Sequence, residues 1–119
     1  MGGYRLLRQE EMDLIAAMLR KHPKQSEIVT SLRGHLVEGM EDGGMGSLRF
    51  KTPEDSRLHV EKKIAEAEFV DDDGVLVSVT LTVGDDGELT ELDVWKVDFK
   101  PLKRYPRPNE LFIKSTTYR

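Results

Sequence analysis

The hydrophobic pattern changes period once along this chain. Met12, Ile15, Ala16 and Leu19 recur at i, i+3, i+4 and i+7, which predicts one apolar stripe of a helix. Glu10, Glu11 and Asp13 load its first turn and Arg20 and Lys21 its last, as the helix dipole favours, and Pro23 stops it. Ser26 then predicts the cap of a second, short helix through Arg33, with Gly34 in the left-handed position that ends it. From His35 the period becomes two. Residues 35–40 predict a strand, and Leu48 and Phe50 alternate with Ser47, Arg49 and Lys51 in the next. A polar connection over 52–60 follows. Three strands are then expected at about 62–70, 75–83 and 88–99, separated by the acidic turns DDDG at 71–74 and GDDG at 84–87.

Register follows from the alternation. A three-residue loop Asp72-Asp73-Gly74 aligns Ala65, Ala67 and Phe69 with Leu81, Val79 and Val77. Pairing Val83 with Glu88 across GDDG brings Leu92 and Val94 onto the same face, opposite Val79 and Val77. The other face then carries Glu66, Glu68, Ser78, Thr80, Glu91 and Asp93, with Val70, Leu76 and Trp95 clustered at one end. A slip of one residue would bury Glu66 and Glu68, so the pattern selects this register. The expected fold is α+β, with two N-terminal helices packed on the valine-rich face of an antiparallel meander of about five strands.

With 119 residues, the chain suits a single domain spanning 1–119. Residues 100–119 form a basic tail with Pro101, Pro106 and Pro108, expected to wrap the domain, and Leu111-Phe112-Ile113 suits a last short strand or a docked edge. Cysteine is absent, which excludes disulfides, thiolate metal sites and cysteine nucleophiles. No apolar run approaches a bilayer span, and the acids at 10–13 break any signal-peptide order, so a cytoplasmic protein is the expectation. The net charge of −4 conceals an asymmetry. Residues 66–99 hold eleven acids against one base, and residues 100–119 hold six bases against one acid. An acidic centre repels phosphate, so nucleic acid is not an expected partner, and the tail is expected to fold back on that centre.

Few motifs carry chemistry. DGGMG at 42–46 lacks the lysine and the following helix of a phosphate loop. It reads as a turn that admits a strand, with Asp42 and Met45 placed beside the sheet. His22, His35 and His59 show no metal spacing, and Ser47 lacks the setting of a nucleophile elbow. The register places the four carboxylates Glu66, Glu68, Glu91 and Asp93 on neighbouring strands of one face. A wet sheet face carries such acids routinely. With Trp95 beside them they also suit a binding surface, since aromatic side chains next to charge are enriched at interfaces.

The blocks DGGMGSLRF at 42–50, IAEAEFVDDDGVLVSVTLTV at 64–83 and ELDVWKVDFKPL at 91–102 resemble a family of small bacterial proteins of unknown function. The resemblance spans roughly residues 5–105. It implies a compact bacterial domain and brings no activity or catalytic residue with it. Gln9 stands where that family leads one to expect a serine or threonine helix cap.

The expected function is a non-enzymatic interaction or immunity-type module. It would bind a basic protein partner through Glu66, Glu68, Glu91, Asp93 and Trp95, with Asp42 and Met45 at the rim. No metal, cofactor or membrane is implied, and the oligomeric state stays open. The alternative is a small-molecule binding domain or a metal-assisted hydrolase built on the same four carboxylates.

Overall fold

The computed structural model describes residues 3–52 and 61–116. From Pro53 on, the polar connection lies outside the described residues, as does His59. The elements run β1 (Arg5–Leu6), α1 (Gln9–Met18), α2 (Gln25–Ser31), a 3-10 turn (Leu32–Gly34), β2 (Leu36–Gly39), β3 (Leu48–Phe50), β4 (Lys62–Val70), β5 (Leu76–Val83), β6 (Leu89–Lys96), a second 3-10 turn (Pro108–Glu110) and β7 (Phe112–Thr116). The α+β class holds, but the sheet has seven strands in the order β1-β2-β3-β6-β5-β4-β7. Every pairing is antiparallel. β4, β5 and β6 are consecutive neighbours, as the expected meander requires. β2 and β3 pair on the far side of β6, and the short β1 and β7 extend the two edges.

The β4–β5 register is the one expected, with Ala65, Ala67 and Phe69 opposite Leu81, Val79 and Val77. Gly74 takes a φ of 80° in the Asp72-Asp73-Gly74 loop. The β5–β6 register differs by one residue at Val83, which faces Leu89, and by two along the rest of the pair, with Leu81 opposite Leu92 and Val79 opposite Val94. The cause is an irregularity between Thr82 and Val83, where Thr90 is the extra residue on β6. An even shift preserves the faces, so Leu92 and Val94 still point into the core.

The helices correct the reading of their faces and caps. Glu11, Leu14, Ile15 and Met18 are buried on α1, together with Ala17, while Met12 and Ala16 are only half-buried. Ile15 and Leu19 are fully buried as expected and Met12 packs against the core, and the stripe widens on one side to take in Leu14 and Met18. Glu11 lies in it at 2% exposure because Arg5 grips its carboxylate with both guanidinium nitrogens, at 2.9 and 2.8 Å. The same carboxylate accepts from the Arg8 backbone N–H at 2.8 Å, which satisfies a donor at the helix start. Helix α2 begins after Lys24, so Ser26 is not its cap, and Gly34 is not among the glycines with positive φ. No described helix is long and apolar enough to cross a membrane.

One end of the core is closed by a buried cation. Lys96 continues the inward row of Leu92 and Val94, opposite Val77, and is fully buried. Its ammonium donates to Asp71 Oδ2 at 2.9 Å, to Asp73 Oδ2 at 2.6 Å and to the Pro101 carbonyl at 3.2 Å. Those are three donors with three acceptors. Asp71 also accepts from the Lys103 and Asp72 backbone N–H groups, at 2.8 Å each. Beside it, Arg104 bridges Asp72 at 2.9 Å and Glu110 at 3.0 Å. The basic tail thus folds back on the acidic turn, as its charge implied.

Burial alone would raise the Asp71 carboxyl, but the Lys103 N–H, the Lys96 ammonium and the Asp72 N–H carry it below its ordinary value. Asp73 is lowered chiefly by its bond to Lys96. Glu110 is pushed down to about 2, chiefly by Arg104. Carboxyls depressed in the folded state stabilise it above their unfolded pKa and lose that contribution as pH falls. The protein's Tm is therefore expected to decline from about pH 4 toward pH 2. Lys96→Met strands Asp71 in the core and should lower Tm by about 10 °C or more at pH 7. A protonated Asp71 tolerates the core, so the deficit should shrink as pH falls through 4. Differential scanning calorimetry between pH 2 and 7 checks both outcomes. A constant deficit would contradict the assignment.

Candidate functional site

The helices pack on the face formed by Ala65, Ala67, Val77, Val79, Leu81 and Leu92, and among the described residues no helix covers the opposite face of the sheet. Along β6 that open face presents Glu91, Asp93 and Trp95 in succession. β5 adds Ser78, Thr80 and Thr82, and β4 adds Glu66 and Glu68, through the pairs Thr80–Glu66 and Ser78–Glu68. Neutral β5 therefore separates the two carboxylate pairs. They do not lie on neighbouring strands, and two strand spacings hold them roughly 10 Å apart. The hairpin order already implied this separation.

The two pairs also differ in state. Glu66 pairs with Lys63 at 3.0 Å and Glu68 with Lys114 at 3.3 Å. Glu91 and Asp93 have no ion pair within 4.0 Å among the described residues. Glu91 stands opposite Thr82 on one side and Arg49 on the other. Burial raises its carboxyl first, and repulsion from Glu61 and Asp93 adds to the rise against the pull of Arg49. Asp93 is exposed and accepts from the Ser47 hydroxyl at 3.3 Å. Among the described residues, no three histidine, aspartate or glutamate side chains are grouped to hold a metal ion.

Asp42 and Met45 are engaged within the chain. Asp42 accepts from the Met45 and Ser47 backbone N–H groups at 3.1 and 3.0 Å, which ties the glycine loop to itself. The Met45 sulfur accepts from the Lys96 N–H at 3.3 Å. Buried Ser47 accepts from the Val94 N–H at 2.8 Å, so its hydroxyl completes the β6 edge where β3 begins. Gly43, Gly44 and Gly46 all have positive φ, at 76°, 83° and 99°. The tail packs against them. Leu102 N donates to Gly44 O at 2.9 Å, and Tyr105 Oη donates to Gly46 O at 2.6 Å. Desolvation raises the Tyr105 hydroxyl, which keeps it a donor. DGGMG is a turn, as expected, and also the seat of the C-terminal tail.

Below Trp95 the open face turns apolar. Val70 pairs with Leu76, and the Val97 N–H donates to the Leu76 carbonyl at 3.1 Å. The chain then turns at Phe99, whose ring lies 6.0 Å from Trp95 and is 67% exposed. Phe112 on β7, also 67% exposed, stands opposite Glu68. A shallow groove of about 400 Å³ runs between Val70, Leu76 and Phe112, with Glu68 and Glu110 at its sides. Phe99 is the one described non-glycine residue with positive φ, at 64°. That conformation costs roughly 1–2 kcal/mol for a bulky residue. The alternation Trp95, Val97, Phe99 in WKVDF was the available sign that this edge continues past Trp95. A separate cavity of about 460 Å³ lies between α2 and the β5–β6 turn, lined by His22, His35, Glu27, Lys62 and Asp85 among others.

The chain belongs to the domain of unknown function DUF6984, whose family model matches residues 4–106. The match takes in the glycine loop, the Lys96 network and the Trp95–Phe99 segment, and it ends before β7. No curated protein and no solved structure matches the chain.

A Cβ on Gly46 would come within 3.2 Å of the Tyr105 ring and 3.3 Å of Leu102 Cδ2. Gly46→Ala should destabilise by about 2 kcal/mol or more, combining left-handed strain with crowding. Gly39→Ala meets nothing within 4 Å and should stay within about 0.5 kcal/mol of the parent. Urea denaturation of the two variants checks the contrast.

Proposed function

We propose that this chain is a non-enzymatic interaction module that docks a basic protein partner on its open sheet face. The observation that carries the reading is the line down β6, where Glu91 and Asp93 lack an ion pair among the described residues and lead to Trp95, which is 45% exposed. Charges left free at a surface steer an oppositely charged partner, and an exposed tryptophan beside them supplies an anchor. Glu66 and Glu68 take a lesser part, since lysines already neutralise them.

The second reading is a small-molecule binding domain. Its support lies in the cavity beside His22 and His35 rather than in the carboxylates, which β5 divides into two pairs and which are not grouped to hold a metal ion among the described residues. An Ile28→Trp variant fills that cavity and should abolish any ligand-induced rise in Tm if this reading holds.

The main reading is tested with the chain's one tryptophan as reporter. Poly-L-lysine should change Trp95 emission saturably, weaken about tenfold or more between 50 and 300 mM salt, and lose its effect in Glu91→Lys/Asp93→Lys. Poly-L-glutamate should do nothing. Equal responses to the two polymers, or an unaltered response in the charge-reversed variant, would sink the reading.

A further inference from the structure

The turn after β6 sets stability against exposure. At φ 64° a glycine or asparagine sits without the penalty a phenylalanine meets. A buried ring would offset that penalty through apolar contact, yet Phe99 leaves 67% of its surface in solvent. Its described ring contact is Trp95, itself half-exposed. The backbone here is held from both sides. Phe99 N donates to the Lys96 carbonyl at 2.8 Å, and Lys100 N donates to Asp98 Oδ1 at 3.0 Å. The fold therefore requires a turn at this position but gains little from an aromatic side chain in it.

We infer that Phe99 is a recognition anchor, and that the ledge of Trp95, Phe99, Leu76 and Val70 docks the apolar side of a basic amphipathic segment of a partner protein. This rests on the reading of the open face as a docking surface and names what the occupant must look like. Charge complementarity selects it over a second copy of this chain. Two such faces brought together would set Glu91 and Asp93 against a surface whose net sign is the same, and like charges across an interface disfavour association. The spacing is set by the strand. Asp93 and Glu91 lie roughly 7 and 14 Å from Trp95 along β6. On a helix rising about 1.5 Å per residue, basic residues about four and eight positions from the apolar anchor stay on its side of the helix and rise about 6 and 12 Å toward them.

The test uses the intact chain and two synthetic peptides of equal charge, one of alternating leucine and lysine blocks and one with serine in place of leucine. The leucine–lysine peptide should shift Trp95 emission to the blue and bind at least tenfold more tightly than the serine–lysine peptide. Phe99→Asn should erase that tenfold preference while Tm holds or rises by about 2–5 °C. Leu76→Ser should also weaken the leucine–lysine peptide alone. If both peptides bind alike and both fail against Glu91→Lys/Asp93→Lys, the acidic docking surface stands and the apolar anchor falls. If neither peptide binds, both readings fall. A marked loss of Tm in Phe99→Asn assigns the ring to the fold and overturns the inference. So does a concentration-dependent dimer in gel filtration that Phe99→Asn converts to monomer.

Discussion

The architecture turns on a lysine placed where the sheet's alternation demands an inward residue. Leu92, Val94 and Lys96 form one row of β6, and the third member is an ammonium with no exposed surface. A buried charge is tolerated only when it is paired and its donors are satisfied. The β4–β5 turn supplies two carboxylates and the start of the tail, five residues on from Lys96, supplies a carbonyl, so the acidic turn and the end of β6 must meet at one point. That requirement also fixes what faces outward. A one-residue slip of β6 would send Lys96 to solvent and drive Glu91, Asp93 and Trp95 inward. The pairing that anchors the tail thus also sets the composition of the open face.

Much of this was legible because β-structure writes its faces at a period of two. The alternation over Ala65–Phe69 and Val77–Leu81 assigns core and surface without reference to partners. An even register shift at β6 left that assignment intact. What resisted reading was charge in unexpected places. Glu11 belongs to the buried stripe of α1, yet a glutamate weighs against burial until Arg5 and the Arg8 N–H are known to meet it. Lys96 was hidden in the same way, although the parity of Leu92 and Val94 pointed inward and two acids of DDDG waited across the sheet. The edge strands were less visible still. β1 has two residues, too few to show a period, and the β2–β3 placement beside β6 depends on pairing between segments remote in sequence.

The open face was legible as a set of residues and not as a working arrangement. Sequence grouped Glu66, Glu68, Glu91, Asp93 and Trp95 correctly by side of the sheet. It did not distinguish acids already neutralised by Lys63 and Lys114 from those without an ion pair among the described residues, because such pairings depend on side-chain reach across strands. Asp42 and Met45 changed meaning for a related reason. A loop of three left-handed glycines leaves many backbone N–H groups unpaired, and the Asp42 carboxylate turns inward to meet two of them. The glycines serve the tail, since bare Cα atoms at Gly44 and Gly46 admit Pro101, Leu102 and Tyr105.

These constraints converge on the short segment from Lys96 to Phe99. Lys96 ties it to the acidic turn, the Pro101 carbonyl after it returns to the same ammonium, and Gly43 lies against the Phe99 carbonyl at a distance that would suit a Cβ contact of 3.8 Å. A segment fixed at both ends can hold a residue in an unfavourable conformation, because the surrounding contacts outweigh the local cost. The same contacts present Trp95, Val97 and Phe99 to solvent in one arrangement, and under the proposed docking that lowers the entropic cost of binding. The buried charge and the exposed rings are therefore two faces of one arrangement. The network that makes this end of the sheet stiff is what gives an exposed aromatic ledge a defined shape.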